Sequence, residues 1–379
     1  MRAARHGWIA ISGTSSACER RLGTVIPSPT CLTVHPLAVI PIGDASGRGE
    51  LAALSGTESA IYGSVTPLEL LAFLDAWTTS RLGSPIAHVH FRAGRIDVVW
   101  GVELKDGRAV VIKTHRPPTN LDAIRVTNDA QRVLVKARFP CSTPLAGPEE
   151  VEGHVVTAET LIVGTTPDGR DPAHRLLLAE GLARHIEILR SEPGFVRRAG
   201  AGPSWCQYQA GPWPVPHDTL VDFRSTPTGF EWLDTFGRRA ADQVLAYRDP
   251  ENVVVGHADW YAGNTAISGG VLVGTFDWEL VADTEAVIAG FAAACYGASS
   301  TGPAGLSTPE HVALFMRDYD NVRSQRLRDR ECRTAAGAAA WILAFNARWQ
   351  VALIDHGRCD EALVSLVRSR GEDYLSLGW

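Results

Sequence analysis

Lysine, methionine and paired cysteine are scarce in this chain of 379 residues. The three lysines are Lys105, Lys113 and Lys136, so arginine supplies nearly all of the positive charge. None of the seven cysteines stands in a C-x-x-C pair, which argues against a zinc site or a disulfide framework and favours a reducing cytoplasm. No apolar run approaches the roughly 18 residues of a membrane span, so no membrane partner is expected.

Composition and charge narrow the class of protein. A hydrophobic content of 45% predicts a soluble globular protein with a sizeable core, in one large or two smaller domains. The net charge of −6 argues against nucleic acid as a partner. The acidic excess lies after Asp171, in a half without lysine. Such a half could attract a cationic ligand, although a solvated acidic surface explains the same composition.

Residues 1–64 differ from the rest of the chain. They mix Ser, Gly, Thr and Pro with short apolar segments and lack periodicity, which predicts a disordered or loosely attached extension. A clear helix signal begins only at Thr66, a capping box followed by Pro67. One hypothesis is therefore that the natural chain begins near Val65. Mass spectrometry of the native N-terminus tests it, because peptides from residues 20–60 would refute it.

Two lobes are expected after this extension. Residues 65–160 begin with the helix at Thr66 and then alternate in strand fashion, with a hairpin at Asp106-Gly107 and a helix from Leu121 to Lys136. Residues 161–379 show long helical patterns interrupted by short strand pairs and polar loops. The sequence thus predicts an α+β protein in which a small sheet lobe precedes a larger helical lobe.

The stretch from Val253 to Glu279 has the most chemical content. Asp259 follows a short buried strand, Asn264 comes five residues later, and Asp277 ends the next strand pattern. One carboxylate can orient and deprotonate a hydroxyl, while an amide oxygen and a second carboxylate hold magnesium on a nucleotide. These residues predict a phosphoryl-transfer site. The alternative for Asp259 is an aspartate that caps a turn.

Lys113 is the second feature that fits such a site. It lies inside the apolar strand Val110–Thr114, where an inward lysine needs an anion such as a nucleotide phosphate. The alternative is a lysine on an edge strand that points to water.

Together these motifs resemble the aminoglycoside phosphotransferase family, whose loops read H-G-D-x-x-x-x-N and D-W/F-E/D. Ala258 stands where the family usually has glycine. The resemblance covers roughly Pro85 to Ile354 and implies the two-lobed protein-kinase-like fold. That fold has a small antiparallel-sheet N-lobe with one helix and a larger, mainly helical C-lobe.

The resemblance also implies roles for the residues of the C-lobe loops. Asp259 would be the catalytic base, and His257 would brace the loop backbone. Asn264 and Asp277 would be the magnesium ligands.

For the N-lobe, the resemblance implies four nucleotide-binding residues. Lys113 would contact the phosphates, and Asp129 would orient it from the following helix, where the family usually has glutamate. Gly94 is the one glycine of the expected phosphate-covering loop, which has no G-x-G-x-x-G signature. Glu159 would lie in the connector whose backbone meets adenine, although an ordinary loop fits the same residues.

The function implied is a Mg²⁺-dependent transfer of the γ-phosphate of ATP or GTP to a hydroxyl of a small molecule. An aminoglycoside-like or other aminated acceptor is the default, and choline, homoserine, ketosamine, macrolide and sugar kinases share the same loops. Asp277-Trp-Glu in place of Asp-Phe-Gly argues against a protein kinase. The missing glycines and Asp129 leave a nucleotide-binding pseudokinase as the alternative. The acceptor, the choice of nucleotide, the oligomeric state and the biological role stay open.

Overall fold

The computed structural model describes residues 53–211, 213–216, 221–298, 307–354 and 359–379. Residues 1–52, most of the expected extension, lie outside this described part. The described residues form an α+β protein in which a small sheet lobe precedes a larger, mainly helical lobe.

A five-stranded antiparallel sheet forms the smaller lobe, in the order β1-β2-β3-β5-β4. Its strands are β1 (Ile86–Ala93), β2 (Val98–Leu104), β3 (Ala109–His115), β4 (Pro144–Val151) and β5 (His154–Thr160). The hairpin predicted at Asp106-Gly107 joins β2 to β3, and Gly107 adopts a φ of 87° that suits glycine.

Side-chain alternation along β3 decides which of its residues face the core. Val110 and Ile112 are buried together with Trp100 and Val102 of β2. Successive residues of a strand point to opposite faces. Lys113 therefore lies on the other face of the sheet, as an inward lysine of the site requires.

Two helices precede the sheet, α1 (Gly56–Tyr62) and α2 (Pro67–Leu82), and both begin with a capping box. The box predicted at Thr66 is confirmed. The expectation of a loose extension is wrong for α1, because Glu58 is buried and forms an ion pair with Arg92 of β1. A helix of seven residues makes only about two turns, which is too short to show a periodic apolar pattern in the sequence.

Helix α3 (Leu121–Lys136) lies between β3 and β4 in the chain. Its buried residues Val126, Ala130 and Leu134 belong to the hydrophobic core of the larger lobe, together with Leu178 and Leu182. The helix therefore packs against the larger lobe although it is inserted in the sheet of the smaller one.

The larger lobe is built around α9 (Asp329–Ala352), which is buried almost all round from Thr334 to Val351. The other helices are α4 (Pro172–Arg190), α5 (Gly194–Ala199), α6 (Glu231–Tyr247), α7 (Glu285–Cys295), α8 (Pro309–Val322) and α10 (Glu361–Leu375). A search of the described residues for a helix long and apolar enough to cross a membrane finds none.

Two short strand pairs carry the polar loops of the larger lobe. They pair β6 (Val253–His257) with β9 (Leu280–Thr284), and β7 (Thr265–Ser268) with β8 (Val271–Thr275). The predicted turn at Gly269-Gly270 joins β7 to β8, with both glycines at positive φ. The loop after β6 and the loop after β8 are thereby brought side by side.

Candidate active site

The loop after β6 holds Asp259 and Asn264 in direct contact. A short 3₁₀ turn, Ala262–Asn264, brings the asparagine back towards the strand end. The Nδ2 of Asn264 donates to Oδ2 of Asp259 at 2.9 Å and to its backbone oxygen at 3.0 Å. Burial and the nearby charge of Asp277 raise the pKa of Asp259 to about 7, against the opposing effect of the Asn264 hydrogen bond. A carboxylate with a pKa near neutrality suits proton transfer at physiological pH.

His257 connects this loop to the loop after β8. Its Nδ1 accepts from the backbone N–H of Asp259 at 3.1 Å, and its Nε2 donates to the carbonyl of Phe276 at 3.3 Å. Burial lowers the pKa of His257 to about 4, so the ring is neutral at pH 7. One side chain thus fixes the backbone next to both Asp259 and Asp277.

A second histidine, His185, forms a hydrogen bond to the backbone of His257, and this contact was not predicted from the sequence. His185 of α4 is fully buried, and its Nε2 accepts from the backbone N–H of His257 at 3.2 Å. Its Nδ1 donates to the carbonyl of Gly181 at 3.1 Å. Burial lowers the pKa of His185 to about 3, so this ring is also neutral. A histidine on the apolar face of a predicted helix was the available signal, but helical spacing does not reveal which distant loop it meets.

Asp277 follows β8 and points into the cleft between the lobes. Its φ is 56°, a left-handed conformation that few residues other than glycine, asparagine and aspartate adopt. Its side chain is 63% exposed, and its Oδ1 lies 3.0 Å from Nζ of Lys113. The Lys113 ammonium lowers the pKa of Asp277, so the carboxylate is ionised. Non-glycine residues in this backbone conformation are enriched at functional sites.

Lys113 lies between two carboxylates, but Asp129 is not one of them. Its Nζ is 3.0 Å from Asp277 and 3.1 Å from Glu159 of β5. Burial alone would lower the pKa of Lys113, but the two carboxylates raise it well above the ordinary value. Lys113 is therefore charged and faces the cleft.

The expectation that Asp129 orients Lys113 is corrected by the position of Asp129 on α3. Asp129 forms ion pairs with Arg132 and with Arg198 of α5, at the surface. Gln131 of the same helix is buried and contacts Glu159 instead. Two residues along a helix are about 200° apart around its axis, so these side chains point in nearly opposite directions.

Glu159 also differs from its expected place in the connector. It lies inside β5, with Val111 opposite on β3 and Pro144 opposite on β4. Its backbone is thus flanked by strands on both sides, and its side chain is the part that faces the site. The connector begins only after Thr160, the last residue of β5.

Gly94 lies in the turn between β1 and β2, and the turn requires glycine. Its φ is 121°, and a Cβ at this position would lie 1.9 Å from the carbonyl oxygen of Asp97. Thr57 of α1 donates to the carbonyls of Gly94 and Arg95, at 3.2 and 3.1 Å. Asp97 accepts from the backbone N–H of Arg116 at 2.9 Å, so the turn is held on both sides.

A pocket opens beside Asp259 on the side of the larger lobe. Its walls are mainly aromatic and aliphatic and include Trp205, Trp260, Tyr261, Phe291, Ile342 and Asn346. Glu279 lies exposed nearby, and partial desolvation in the cleft together with the charges of Asp259 and Asp277 raises its pKa. The arrangement offers a proton acceptor at the edge of a largely apolar pocket, with the carboxyl groups of Asp277 and Glu279 near it.

The residues of the two C-lobe loops also fit a magnesium ion by their chemistry. Mg²⁺ prefers oxygen ligands, and it usually keeps several waters and binds substrate phosphates besides one or two protein groups. Asp277 presents an open carboxylate, and the Nδ2 of Asn264 is engaged by Asp259, which leaves its Oδ1 for a ligand. The described residues hold no group of three or more His, Cys, Asp or Glu side chains that would form a complete protein cage.

No protein-family model and no curated protein matches this chain. Solved structures do match. The amicoumacin kinase hAmiN, in complex with AMP-PNP, Ca²⁺ and Ami, is 12% identical, with a TM-score of 0.56 over 82% of this chain and 96% of that one. The aminoglycoside phosphotransferase APH(4)-Ia is 11% identical, with a TM-score of 0.52 over 81% and 99% of the two chains.

A thermostable mutant of APH(4)-Ia in its apo form gives a TM-score of 0.51 at 12% identity, over 79% of this chain and 98% of that one. At these identities the likeness establishes the fold, and the fold expected from the sequence is confirmed. The chain has the two-lobed, protein-kinase-like fold of the aminoglycoside phosphotransferases and related small-molecule kinases.

Proposed function

We propose that this protein is a small-molecule kinase that transfers the γ-phosphate of ATP or GTP to a hydroxyl group, with Mg²⁺ as cofactor. The observation that supports it is the convergence of four side chains from three parts of the chain, β3, the loop after β6 and the loop after β8, on one cleft. Lys113 of β3 contacts Asp277 at 3.0 Å, and Asn264 contacts Asp259 at 2.9 Å. His257 connects the loop after β6, which carries Asp259 and Asn264, to the loop after β8, which carries Asp277.

In this proposal the nucleotide lies between the lobes. Lys113 binds its phosphates, Gly94 allows the β1–β2 turn to approach them, and the backbone after β5 meets the base. Asn264 and Asp277 hold the magnesium ion. The ion neutralises charge on the transferring phosphoryl group when it is bound. The C-lobe ligands come from one edge of the β6–β9 and β7–β8 pairs, so the protein supplies them in a fixed relation.

Asp259 is the general base of the proposed reaction. The acceptor hydroxyl donates a hydrogen bond to its carboxylate, which orients the oxygen towards the γ-phosphorus. The new oxygen–phosphorus bond forms while the bond from the γ-phosphorus to the β–γ bridging oxygen breaks. The nucleoside diphosphate leaves with that electron pair, and the proton passes to Asp259. A positioned base of this kind contributes about 10²- to 10⁴-fold.

The acceptor is proposed to be an aminated small molecule whose hydroxyl reaches Asp259 from the cleft. Asp277 is ionised, and burial together with the neighbouring negative charge raises the pKa values of Asp259 and Glu279, so a cationic group entering the cleft would stabilise their ionised forms. Two of the structural neighbours are named as kinases of amicoumacin and of aminoglycosides, which agrees with this choice. Choline, homoserine, ketosamine, macrolide and sugar kinases remain the alternatives within the same reaction class.

The proposal is tested with the purified protein, ATP or GTP, Mg²⁺ and a panel of aminated and hydroxylated metabolites. Release of nucleoside diphosphate and the mass of the product identify the acceptor. Asp259→Asn is expected to reduce turnover by about 10²- to 10⁴-fold while nucleotide still binds. The control is Asp122→Asn on the surface of α3, where the side chain is 87% exposed, and wild-type turnover is expected. Unchanged turnover in Asp259→Asn would remove Asp259 as the base.

A pseudokinase is the second candidate, and the turn at Gly94 is the observation that favours it. That turn holds one glycine where protein kinases have a glycine-rich signature. Mg²⁺-dependent nucleotide binding without transfer to any acceptor of the panel would support a scaffold instead of an enzyme.

A further inference from the structure

We infer that Glu159 is the positioning residue for Lys113, and that the amide of Gln131 and the hydroxyl of Ser142 hold Glu159 in place. The inference rests on the proposed function, because it concerns the nucleotide-binding half of the same site. Glu159 of β5 thus takes the role of orienting Lys113, which the resemblance had implied for Asp129 of α3.

The sheet itself sets the distance between Lys113 and Glu159. Lys113 of β3 lies opposite Thr157 of β5, and Glu159 is two residues further along that strand. Residues two apart in a strand point to the same face. The two side chains therefore meet on one face of the sheet, at 3.1 Å, with only 13% and 12% of their surfaces exposed.

The two carboxylate oxygens of Glu159 have separate partners. Its Oε1 faces Lys113. Its Oε2 accepts from the Oγ of Ser142 at 2.8 Å and from the Nε2 of Gln131 at 3.2 Å. Both donors are buried, and Gln131 also donates to Ser142 at 3.0 Å. Buried donors fix the orientation of a carboxylate much better than water does, so Glu159 is preorganised for the lysine.

The fold explains why the partner of Lys113 comes from a strand. Glu159 and Lys113 lie in neighbouring strands of one sheet, so the strand pairing fixes their separation. Helix α3 lies beside this sheet and supplies the amide of Gln131 that donates to Glu159. Asp277, the other partner of Lys113, comes from the loop after β8 in the larger lobe.

The first test measures nucleotide binding to the full chain, using a fluorescent ATP analogue with Mg²⁺. Glu159→Gln keeps the shape of the side chain but removes its charge, and it is expected to weaken binding about tenfold or more. Asp129→Asn is the comparison variant and is expected to stay within about twofold of wild type, as for a surface ion pair. Wild-type affinity in Glu159→Gln would overturn the inference, whatever the affinity of Asp129→Asn.

Steady-state kinetics separate positioning from a general structural effect. In Glu159→Gln the KM for nucleotide should rise, while the KM for the acceptor stays unchanged. The exchanged pair Glu159→Gln with Gln131→Glu restores one carboxylate and one amide, and it should regain part of the lost affinity. A rise in both KM values, or no recovery in the exchanged pair, would contradict the roles given to Glu159 and Gln131.

A third measurement does not depend on nucleotide or turnover. Crystal structures of the wild-type protein and of Glu159→Gln, both without nucleotide, should differ in the position of Nζ of Lys113, because Asp277 is then its one remaining carboxylate partner among the contacts described. An unchanged position of Nζ overturns the inference even if the protein is a kinase. A displaced Nζ supports the pairing even if no acceptor is found.

Discussion

The buried ion pair between α1 and β1 leads to a specific prediction about stability. Glu58 and Arg92 have side chains that are each only 2% exposed. The Oε1 of Glu58 accepts from Nε of Arg92 and from Nε1 of Trp100, each at 2.9 Å, and its Oε2 accepts from the backbone of Ser55 at 2.8 Å. The perturbation is Glu58→Gln, which preserves the volume of the side chain and removes the negative charge.

The expected loss in the free energy of unfolding is about 3–5 kcal/mol. Removing the charge of Glu58 leaves Arg92 buried next to a neutral amide. The new NH₂ group also places a donor against the guanidinium or the Ser55 N–H, which are themselves donors. The matched control is Glu149→Gln, whose ion pair with Arg81 has side chains 30% and 47% exposed. An exposed pair contributes about 0–1 kcal/mol, so the control should be nearly neutral.

Urea unfolding at pH 7, followed by circular dichroism, measures both changes. Hydrogen exchange of the β1 and β2 amides then shows whether the loss is located in the smaller lobe. The double variant Glu58→Met with Arg92→Met removes both charges and should be more stable than Glu58→Gln. A loss below about 1 kcal/mol in Glu58→Gln, equal to the control, would refute the reasoning that burial makes this pair different.

Three further predictions follow from single residues. Asp277→Asn should make nucleotide affinity insensitive to Mg²⁺, which calorimetry with and without chelator would show; persistent Mg²⁺ dependence would contradict its role as a ligand. Gly94→Ala should lower Tm and raise the KM for nucleotide, while Gly107→Ala, where a Cβ meets nothing within 4 Å, should show the smaller effect. The pKa of His185 is about 3 in the folded protein, against an ordinary value of 6.5, so the unfolded state binds more protons below pH 6.5. Its contribution to the free energy of unfolding is complete above that pH and falls by about 1.4 kcal/mol for each pH unit below it. His185→Gln should therefore make the free energy of unfolding depend less on pH. An equal slope of this free energy against pH in both proteins would count against the prediction.

The sequence predicted the parts of the site that depend on local order. Asp259 and Asn264 lie in one short loop. Asp277 follows β8, which pairs with β7, the strand directly before it in the chain. The spacing therefore indicated that the three residues meet. The side of β3 on which Lys113 lies follows from alternation. These features need only short-range geometry, and the structure brings them together as expected.

Contacts between distant elements could not be read in the same way. Asp129 and Gln131 are two residues apart on α3, and which of them faces the sheet depends on how the helix rolls against its neighbours. Glu159 looked like a connector residue because strand ends are uncertain by a few residues in sequence-based assignment. His185 reaches His257 only through the packing of α4 under β6. In each case the deciding variable is the orientation of one element against another.

Proteolytic cleavage between α1 and α2 would affect the site, because α1 contacts the turn at Gly94. The residues that join α1 to α2, 63–66, are largely exposed, as protease sites usually are. A short covalent link keeps α1 near the sheet at an effective concentration on the order of millimolar. One cut there would make the docking of α1 bimolecular, so its occupancy would then depend on the protein concentration. Wherever α1 dissociates, Thr57 leaves the turn at Gly94, and a nick outside the cleft loosens that turn while every cleft residue stays in the chain.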